Sequence, residues 1–533
     1  MKRCGAGGDV DVAHPAVCFH REVLTFLKWT AIRRDFMEAL QGSPHLRFIE
    51  PRKLWRHSQE ALGKWVLSQV ARDTRSGTEP AASFSFFPTR AVLSGGTYDE
   101  QLIRDISLKC EASSSPEVVA EIKALLTHLN LSQRCEDAAA EVQRELNSTI
   151  PSMYCTPLLR IIDATEEEGR TASQRRVQGS IAEISAQWPK HVRRGCPPVS
   201  IPHAAYKKLE MCYKYFSERT ETERYPRLDP GSRFLLRAAT LVLRYEGCLA
   251  TGSLQLCADT RLKQHLHAAG YHVMDLCASP INAYMGSPKA GCCFMRGDGG
   301  CDVDDNNEAS SLEDENTPNH FCSAFPDTDC YFGSLGSALQ FDVEAAYKSP
   351  EVNPEKKPLL LTLDVPYDED ICERLFLRLI RDMQRVESMT KMQQEQLSPP
   401  PYIADYVLVL PLWWDVPMQR RKLLFRTAGG GPPSSFEEEQ KSLDVIVKER
   451  SAMLHSGFTV PYEWPQLLAK AAGESWVCFD GVFLGDSYKY FCTSTNRWLH
   501  GVTATEVIGL SQPRADADGG NSLETQMTSF YGG

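Results

Sequence analysis

The stretch of sequence that decides the fold is Pro358-Leu-Leu-Leu-Thr-Leu-Asp-Val-Pro-Tyr367. Five of the six residues before Asp364 are leucine or β-branched, which is typical of an internal strand covered on both faces. Pro366 cannot continue a hydrogen-bonded ladder, so the chain must turn there. We therefore expect Asp364 and Tyr367 at the carboxyl end of a buried strand, which is where open α/β sheets bind ligands.

The sequence around this strand predicts a parallel sheet. Residues 273–278 and 406–410 form two further short apolar runs. A helix is predicted between 359–363 and 406–410, and its inner face consists of five apolar residues, Ile371, Leu375, Leu379, Met383 and Val386. Strand, helix and strand in this order predict a right-handed crossover. Alternating apolar residues over 476–510 predict antiparallel strands that close the sheet.

A helical region precedes the sheet. Apolar residues at helical spacing predict helices over 22–70, 116–186 and 203–216, the last of them capped by Ser200, and one more after Pro230. The predicted fold class is therefore α/β, preceded by a helical domain. The expected boundaries are 16–230 for the helical region (one or two subdomains), 231–511 for the sheet domain with a disordered acidic insertion at 286–318, and 512–533 for a disordered tail.

Composition limits the class of protein but does not exclude a nucleic-acid partner. The 533 residues are 42% hydrophobic and 24% charged, as in ordinary globular proteins. No apolar run reaches the roughly 18 residues of a membrane span, and no signal peptide is apparent, so the 18 scattered cysteines are expected to be reduced. The net charge of −11 owes most of its size to eight acids within 298–315, where no Lys or Arg occurs.

Two motif-like spacings have simpler interpretations. Six oxygen-bearing residues of the acidic stretch follow EF-hand spacing, namely Asp302, Asp304, Asn306, Glu308, Ser310 and Glu313. Asn307 occupies the glycine position and flanking helices are not predicted, so we expect a solvated insertion and no metal site. Trp476 and Trp498 are spaced as in a WW module, but no proline follows the second tryptophan. We therefore expect no WW domain there.

Basic residues mark two candidate phosphate contacts. The first set, Lys207, Lys208 and Lys214, alternates with tyrosines on a predicted helix, and the second is Arg420, Arg421 and Lys422. An ordinary solvated helix face explains the same pattern equally well.

The acid at the end of the buried strand suits one kind of chemistry. The amino group of adenine is a weak nucleophile because its lone pair is delocalised into the ring. A carboxylate oxygen and a main-chain carbonyl that accept its two N–H hydrogens favour a pyramidal nitrogen, and an aromatic ring such as Tyr367 can stack on the base. An ordinary β-to-α turn remains the alternative interpretation of these residues.

Four stretches resemble the phosphorylated-CTD-interacting factor family of cap-specific adenosine N6-methyltransferases. They are Cys277-Ala-Ser-Pro-Ile-Asn-Ala-Tyr284, Phe321-Cys-Ser-Ala-Phe-Pro-Asp-Thr-Asp-Cys-Tyr-Phe-Gly-Ser334, Leu363-Asp-Val-Pro-Tyr367 and Val409-Leu-Pro-Leu-Trp413. The resemblance covers roughly residues 198 to 510. It implies a Rossmann-like class I methyltransferase domain that uses S-adenosylmethionine, with capped RNA beginning in adenosine as substrate, in the nucleus or alternatively the cytoplasm.

Matched to the family's motifs, the catalytic residues implied are Asp364, Val365, Pro366 and Tyr367. The implied cofactor-binding residues are Ala278, Ser279, Pro280, Asn282, Phe332, Gly333 and Ser334. Asp364 stands where the family has asparagine, and Val365 where it has its first proline. The acidic insertion has no counterpart in the family, and the missing WW module would remove the dock for a phosphorylated polymerase tail.

Two alternatives stay open from the sequence. One is a catalytically inactive methyltransferase-like protein that binds capped RNA or an RNA-processing partner, as Val365 and the acidic insertion suggest. The other keeps the chemistry but methylates a protein glutamine or an internal RNA adenine.

Overall fold

The computed structural model describes most of the elements that were predicted. The described residues are 11, 13–44, 50–73, 86–88, 102–103, 106, 116–165, 170–171, 174–190, 192, 194–249, 256–286, 318–364, 369–394, 404–411, 425–426, 476–483, 488–500, 505–512 and 522–532. The acidic stretch 298–315 lies outside them, so the predictions of a solvated insertion and of no metal site there stay predictions.

Four long helices build the first part of the chain: α1 (Pro15–Gly42), α2 (Pro51–Asp73), α3 (Pro116–Leu129) and α4 (Leu131–Ser148). Three of them begin with proline, whose missing N–H costs nothing in the first turn of a helix. The ring of His14 caps α1 by accepting a hydrogen bond from the Ala16 N–H at 3.2 Å. Helix α1 is the central element, because it packs against α2, α3 and α4 and also against the helical segment 230–249.

A small antiparallel sheet follows where helix had been predicted. Its strands, in the order β1-β2-β3, are β1 (Thr156–Ile162), β2 (Ile181–Gln187) and β3 (Val199–Pro202). The helical prediction for the second half of 116–186 is therefore wrong. Its apolar residues, such as Ile162, Ile181 and Ile184, are β-branched, which favours strands. Ser200 lies inside β3 and is not a helix cap.

Three helices lead from this sheet into the sheet domain: α5 (His203–Phe216), α6 (Glu218–Arg224) and α7 (Pro230–Val242). These confirm the helices predicted over 203–216 and after Pro230. Asp229 caps α7 by accepting a hydrogen bond from the Ser232 N–H at 2.9 Å. The chain then continues without a break into a π-helix, Leu243–Leu249.

The rest of the described chain alternates strands and helices. The strands are β4 (Leu256–Cys257), β5 (His272–Asp275), β6 (Leu359–Asp364), β7 (Ala404–Pro411), β8 (Phe425–Arg426), β9 (Val477–Phe483), β10 (Lys489–Cys492), β11 (Arg497–His500) and β12 (Thr505–Leu510). The helices are α8 (Thr260–Ala268), α9 (Pro326–Asp329), α10 (Val343–Lys348), α11 (Glu369–Gln394) and α12 (Leu523–Gly532).

Six of these strands form a mixed sheet in the order β5-β6-β7-β12-β9-β8. Strands β5, β6 and β7 are parallel neighbours, and β12 is inserted antiparallel between β7 and β9. The first five residues of β6 are almost completely buried, and so is the predicted inner face of α11. The predictions for β6 and α11 are thus confirmed.

Two further predictions about the carboxyl-terminal part can be compared with the structure. Trp476 precedes β9 of the six-stranded sheet, whereas Trp498 lies in β11 of a separate sheet with the order β11-β10-β4. The two tryptophans therefore do not share one module. The prediction of a disordered tail is wrong for α12, because Leu523 and Met527, four residues apart, are buried against the large sheet. None of the helices in the described ranges is long and apolar enough to cross a membrane.

Candidate functional site at the carboxyl edge of the sheet

Two acids stand at the carboxyl ends of the neighbouring strands β5 and β6. The first, Asp275, is buried and accepts hydrogen bonds from Lys263 Nζ at 2.5 Å, from the Thr362 hydroxyl and from the Tyr284 N–H at 2.8 Å. Burial opposes its ionisation, but Lys263 and the other donors hold the pKa of Asp275 below its ordinary value. Burial alone would lower the pKa of Lys263, yet the Asp275 carboxylate raises it. The two groups form a buried ion pair.

The second acid, Asp364, is in a different state. Its side chain is half-buried, and Oδ2 accepts a hydrogen bond from the Ala258 N–H at 2.5 Å. No described residue hydrogen-bonds to Oδ1. Burial raises the pKa of Asp364 to about 7, although Lys263 and the Ala258 N–H partly oppose the shift. Near neutral pH the carboxyl therefore exists in both its protonated and its ionised form, with Oδ2 held in place by the Ala258 N–H.

A tightly held loop, residues 276–286, runs from β5 past these acids. The Ala278 N–H donates to the Cys322 carbonyl at 3.0 Å, and the thiol of Cys257 contacts the Asn282 carbonyl at 3.3 Å. Asn282 Oδ1 accepts from the Ser279 N–H at 2.6 Å. Because both ends and the middle of the loop are hydrogen-bonded, it presents a fixed backbone at the carboxyl edge of the sheet.

Lys208 holds the same loop by hydrogen bonds to two of its carbonyl groups. This residue of α5 is buried, and its ammonium donates to the carbonyl of Ile281 at 3.0 Å and to that of Ala283. Burial lowers the pKa of Lys208. Its prediction as a phosphate contact is therefore wrong, because the ammonium is enclosed and already engaged.

The remaining predicted RNA contacts are divided. Lys207 and Lys214 are exposed on α5 and both reach Glu210, at 3.1 and 3.3 Å, so the structure leaves them accessible to a phosphate. Three predicted contacts lie outside the described residues, Arg420, Arg421 and Lys422. The same holds for Val365, Pro366 and Tyr367 of the catalytic motif.

The seven predicted cofactor residues occupy two environments. Ala278 and Asn282 are half-buried on the fixed loop, and Ser279 and Pro280 are buried within it. The other three, Phe332, Gly333 and Ser334, form a turn that packs behind the loop. Phe332 is fully buried and Ser334 shares a 2.7 Å hydrogen bond with Ser323.

Gly333 is required by this packing for two reasons. Its φ is +100°, in the left-handed region that favours glycine. A Cβ at this position would also lie 2.3 Å from the ring of Phe216 on α5. The turn therefore packs closely against α5 of the helical part of the chain, and the cofactor-binding role predicted for its residues stays a prediction.

A buried ionic network, which sequence reasoning missed, joins the same parts of the molecule. Arg244 of the π-helix contacts Glu22 of α1 at 2.5 Å and Asp327 of α9 at 2.7 Å. All three side chains are at most 2% exposed. Burial opposes the charge, but the two carboxylates raise the pKa of Arg244 well above its usual range. We call Glu22, Arg244 and Asp327 the junction triad.

Neighbouring contacts reinforce the junction triad. Arg237 donates to both carboxylate oxygens of Glu221, at 2.8 and 3.0 Å, and Tyr245 donates to Asp329 at 2.6 Å. Arginines at 237 and 244 within the otherwise apolar stretch 234–245 were the sequence signal for a buried pairing. Their partners lie elsewhere in the chain and could not be identified from that spacing.

Comparison with known families bears on the middle of the chain. A family model described as phosphorylated CTD interacting factor 1 WW domain matches residues 208–381, about a third of the chain. The matched span contains both acids, the fixed loop and the segment that carries Asp327 and Asp329. The match supports the family resemblance found in the sequence. No curated protein matches the chain.

The match does not bear out the prediction that the chain lacks a WW module, since its description names a WW domain. The described part of 208–381 forms helices α6 to α10, strands β4 to β6 and portions of α5 and α11.

Proposed function

We propose that this chain is an S-adenosylmethionine-dependent methyltransferase that modifies N6 of the adenosine next to the cap of RNA. The observation that carries the proposal is the state of Asp364. It ends a buried parallel strand, one of its oxygens is held by the Ala258 N–H, and the other has no partner among the described residues. A fixed acceptor at this place is what activation of an exocyclic amine needs.

The architecture supports the methyltransferase class. Parallel strands β5, β6 and β7 place their carboxyl ends, and with them Asp275 and Asp364, on one edge of the sheet. Ligands of open α/β sheets bind at that edge. The family match over this part of the chain points to the same class of protein.

The fixed loop fits a nucleoside cofactor at Ala278 and Asn282. Both are half-buried, and no described residue hydrogen-bonds to the amide nitrogen of Asn282, which leaves a donor for a ribose hydroxyl or a carboxylate. Ser279 and Pro280 shape the loop from inside. When bound there, S-adenosylmethionine supplies an electrophilic methyl group.

The chain's own residues prepare the acceptor. In the proposed reaction Oδ1 of Asp364 accepts one N6–H hydrogen. The family resemblance implies the Val365 carbonyl as acceptor of the other, Pro366 as the residue that limits the turn, and Tyr367 as the ring that stacks on the base. An adenosine at a transcript's 5′ end leaves its neighbour's stack more easily than one inside a helix. The ionised form of Asp364 is the stronger acceptor, so the group works best above its pKa of about 7.

Partners and location follow from the substrate. Capped RNA with a 5′ adenosine is the proposed substrate, and the nucleus the proposed place of action. A phosphorylated polymerase tail is compatible with the matched description, which names a CTD-interacting factor.

The test uses the full-length chain with labelled S-adenosylmethionine and short RNAs that begin with capped A, uncapped A or capped G. Nucleoside mass spectrometry identifies the product. We expect N6-methyladenosine on capped A alone. Equal transfer to uncapped RNA would point to an internal adenine, and no transfer by a folded protein that binds capped RNA would favour the inactive binding protein.

A further inference from the structure

We propose that Arg261, Trp498 and Lys489, here called the stacking ledge, hold a nucleotide that flanks the methylated adenosine in single-stranded RNA. The inference rests on the proposed function for its substrate. It adds a binding surface that no sequence motif indicated.

The stacking ledge lies next to Asp364 because both are tied to β4. The Ala258 N–H that holds Asp364 directly follows β4, and Arg261 comes three residues later. Three residues span at most roughly 11 Å, so the main chain of Arg261 lies no farther from Ala258 than the length of one or two nucleotides of RNA. Trp498 reaches the same place across the small sheet, where Cys257 pairs with Phe491 and Phe491 pairs with Trp498.

The guanidinium of Arg261 lies over a ring of Trp498. Its guanidinium carbon lies 5.3 Å from the centre of a Trp498 ring. Asp259 accepts from its Nε at 2.9 Å and from its Nη2 at 2.5 Å, and these hydrogen bonds raise the pKa of Arg261. Asp259 is in turn fixed as the cap of α8. The guanidinium plane is therefore oriented before any ligand arrives.

Part of the Arg261 side chain remains exposed among the described residues. The Arg261 side chain is 51% exposed, although it is paired with Asp259 and stacked on a ring. Trp498 is supported from another direction by the edge of Phe491, with ring centres 5.3 Å apart. A base that stacks on an already ordered guanidinium loses little affinity to side-chain ordering, and such planes are common platforms for unpaired RNA bases.

Lys489 supplies a charge for the adjoining phosphate. It lies two residues from Phe491 on β10 and therefore on the same face of the small sheet as Phe491 and Trp498. No acid of the described ranges forms an ion pair with it. A planar cation over an aromatic ring, beside an ammonium that pairs with no described acid, suits a base followed by a phosphate. An acidic peptide would pair with the charges of Arg261 and Lys489 but would not stack on the guanidinium plane.

The experiment measures binding, which does not require methyl transfer. Fluorescence anisotropy with the full-length chain compares a 3′-labelled capped octanucleotide with a labelled cap dinucleotide that ends at the target adenosine. For Trp498→Leu and Arg261→Met we expect the Kd of the octanucleotide to rise about 5- to 100-fold, the range for loss of one stacked base. The Kd of the dinucleotide should stay within about twofold of wild type, because it lacks the flanking nucleotide.

Two further variants separate a local effect from misfolding. Trp498→Phe keeps a ring under the guanidinium and should bind the octanucleotide within about threefold of wild type. Arg219→Met removes an exposed arginine of α6, which pairs with Glu223 at 3.5 Å, and should bind as wild type does.

The proposal is overturned if Trp498→Leu and Arg261→Met bind the octanucleotide normally, if both RNAs are weakened equally, or if wild type does not bind the octanucleotide. Its failure is distinct from that of the proposed function. If Trp498→Leu and Arg261→Met lost only octanucleotide binding and the wild-type protein had no transferase activity, the stacking ledge would be supported and the proposed transferase function would be rejected.

Discussion

Asp329 and Asp364 are carboxyl groups that burial affects in the same way, yet their surroundings differ. Burial raises the pKa of each to about 7. Asp329 is fully buried at the junction between the helices and the sheet, and the hydroxyls of Tyr245, Ser323 and Thr328 all reach it. Asp364 is half-buried and has one main-chain donor. A shifted pKa therefore does not by itself mark a functional acid. The two acids differ in their surroundings, since no described residue hydrogen-bonds to Oδ1 of Asp364.

The comparison extends to the two regions around these acids. At the junction, arginines and acids are matched in buried pairs, so charge serves to fix the packing of α1, α7 and α9. At the carboxyl edge, Lys263 is paired with Asp275, and no described cation forms an ion pair with Asp364. We expect mutations in the first region to change stability and mutations in the second to change turnover.

The largest effect should come from removal of the junction triad's cation. Arg244→Met leaves Glu22 and Asp327 buried without their shared partner, which should lower the free energy of unfolding by about 3–5 kcal/mol. Urea denaturation measures this change. Arg134→Met is the control, because its ion pair with Asp35 is partly exposed and should contribute about 1 kcal/mol or less. Equal stability of the two variants would break the comparison.

The next effect tests the carboxyl edge. Asp364→Ala removes the acceptor and should slow methyl transfer to capped A about 100- to 1000-fold, equivalent to about 2.7–4 kcal/mol. Initial rates with labelled S-adenosylmethionine measure it. Asp364→Asn retains an acceptor oxygen and should stay within about tenfold of wild type. Wild-type turnover in the alanine variant would remove Asp364 from the mechanism.

The shared pKa gives a third test, on stability. Folded Asp329 keeps its proton up to about pH 7, whereas an unfolded aspartate loses it near pH 4. The folded state thus binds more protons between these values, and stability falls as pH rises across this window. In the variant Asp329→Asn, the decrease in the free energy of unfolding between pH 4 and pH 8 should be smaller than in wild type by roughly 2–3 kcal/mol. Urea denaturation at each pH measures this difference.

For Asp364 the corresponding ionisation should appear in the pH dependence of the methyl-transfer rate. Ionisation creates the better acceptor, so kcat/KM should rise with pH and level off above about 7. The profile of Asp364→Asn should lack this rise. If the wild-type profile were flat between pH 6 and pH 8, the carboxyl would not titrate in the reaction.

A smaller effect separates the two roles considered for Lys208. Lys208→Met removes the ammonium that supports the Ile281 and Ala283 carbonyls, at a cost of about 1–2 kcal/mol to the fixed loop. We expect affinity for S-adenosylmethionine to fall about 3- to 10-fold, measured by calorimetry. Affinity for RNA and its salt dependence should not change. A reduced salt dependence would instead restore the phosphate contact that the sequence suggested.

The smallest effect concerns Lys207 and Lys214. Each shares Glu210 on an exposed helix face, so Lys207→Ala or Lys214→Ala should alter stability by less than about 0.5 kcal/mol. If either lysine contacts a phosphate, the slope of log Kd against log salt should fall by about 1 in its variant. An unchanged slope for both would leave them as an ordinary solvated face.

The sequence was most informative where structure repeats along the chain. Strand β6 and the inner face of α11 follow from local apolar periodicity, and Asp364 followed from the end of that strand. Strands β1 and β2 were missed because their β-branched residues also satisfy helical spacing. Helix α12 was missed because its apolar residues are few and lie in a polar stretch, although Leu523 and Met527 are buried and Phe530 and Tyr531 pack against the same core.

The partners that define the site are non-local and had no sequence signal. Asp364 and Ala258 are 106 residues apart, and their contact is made through a main-chain N–H that any residue except proline would supply. Lys208 and Ile281 are 73 residues apart, and the charge of Lys208 suggested the solvent-facing role that the fold excludes. Residue type identified the acid, but only the fold identified what holds it.

The π-helix Leu243–Leu249 makes the molecule sensitive to the length of one short segment. Three consecutive side chains there reach different elements: Arg244 reaches α1 and α9, Tyr245 reaches Asp329, and Glu246 accepts from Ser494 in the β10–β11 turn at 3.0 Å. Deletion of one residue would remove the wider π turn and change the direction in which these side chains point. Such a deletion would disturb all three attachments together, whereas a substitution such as Arg244→Met removes only one of them.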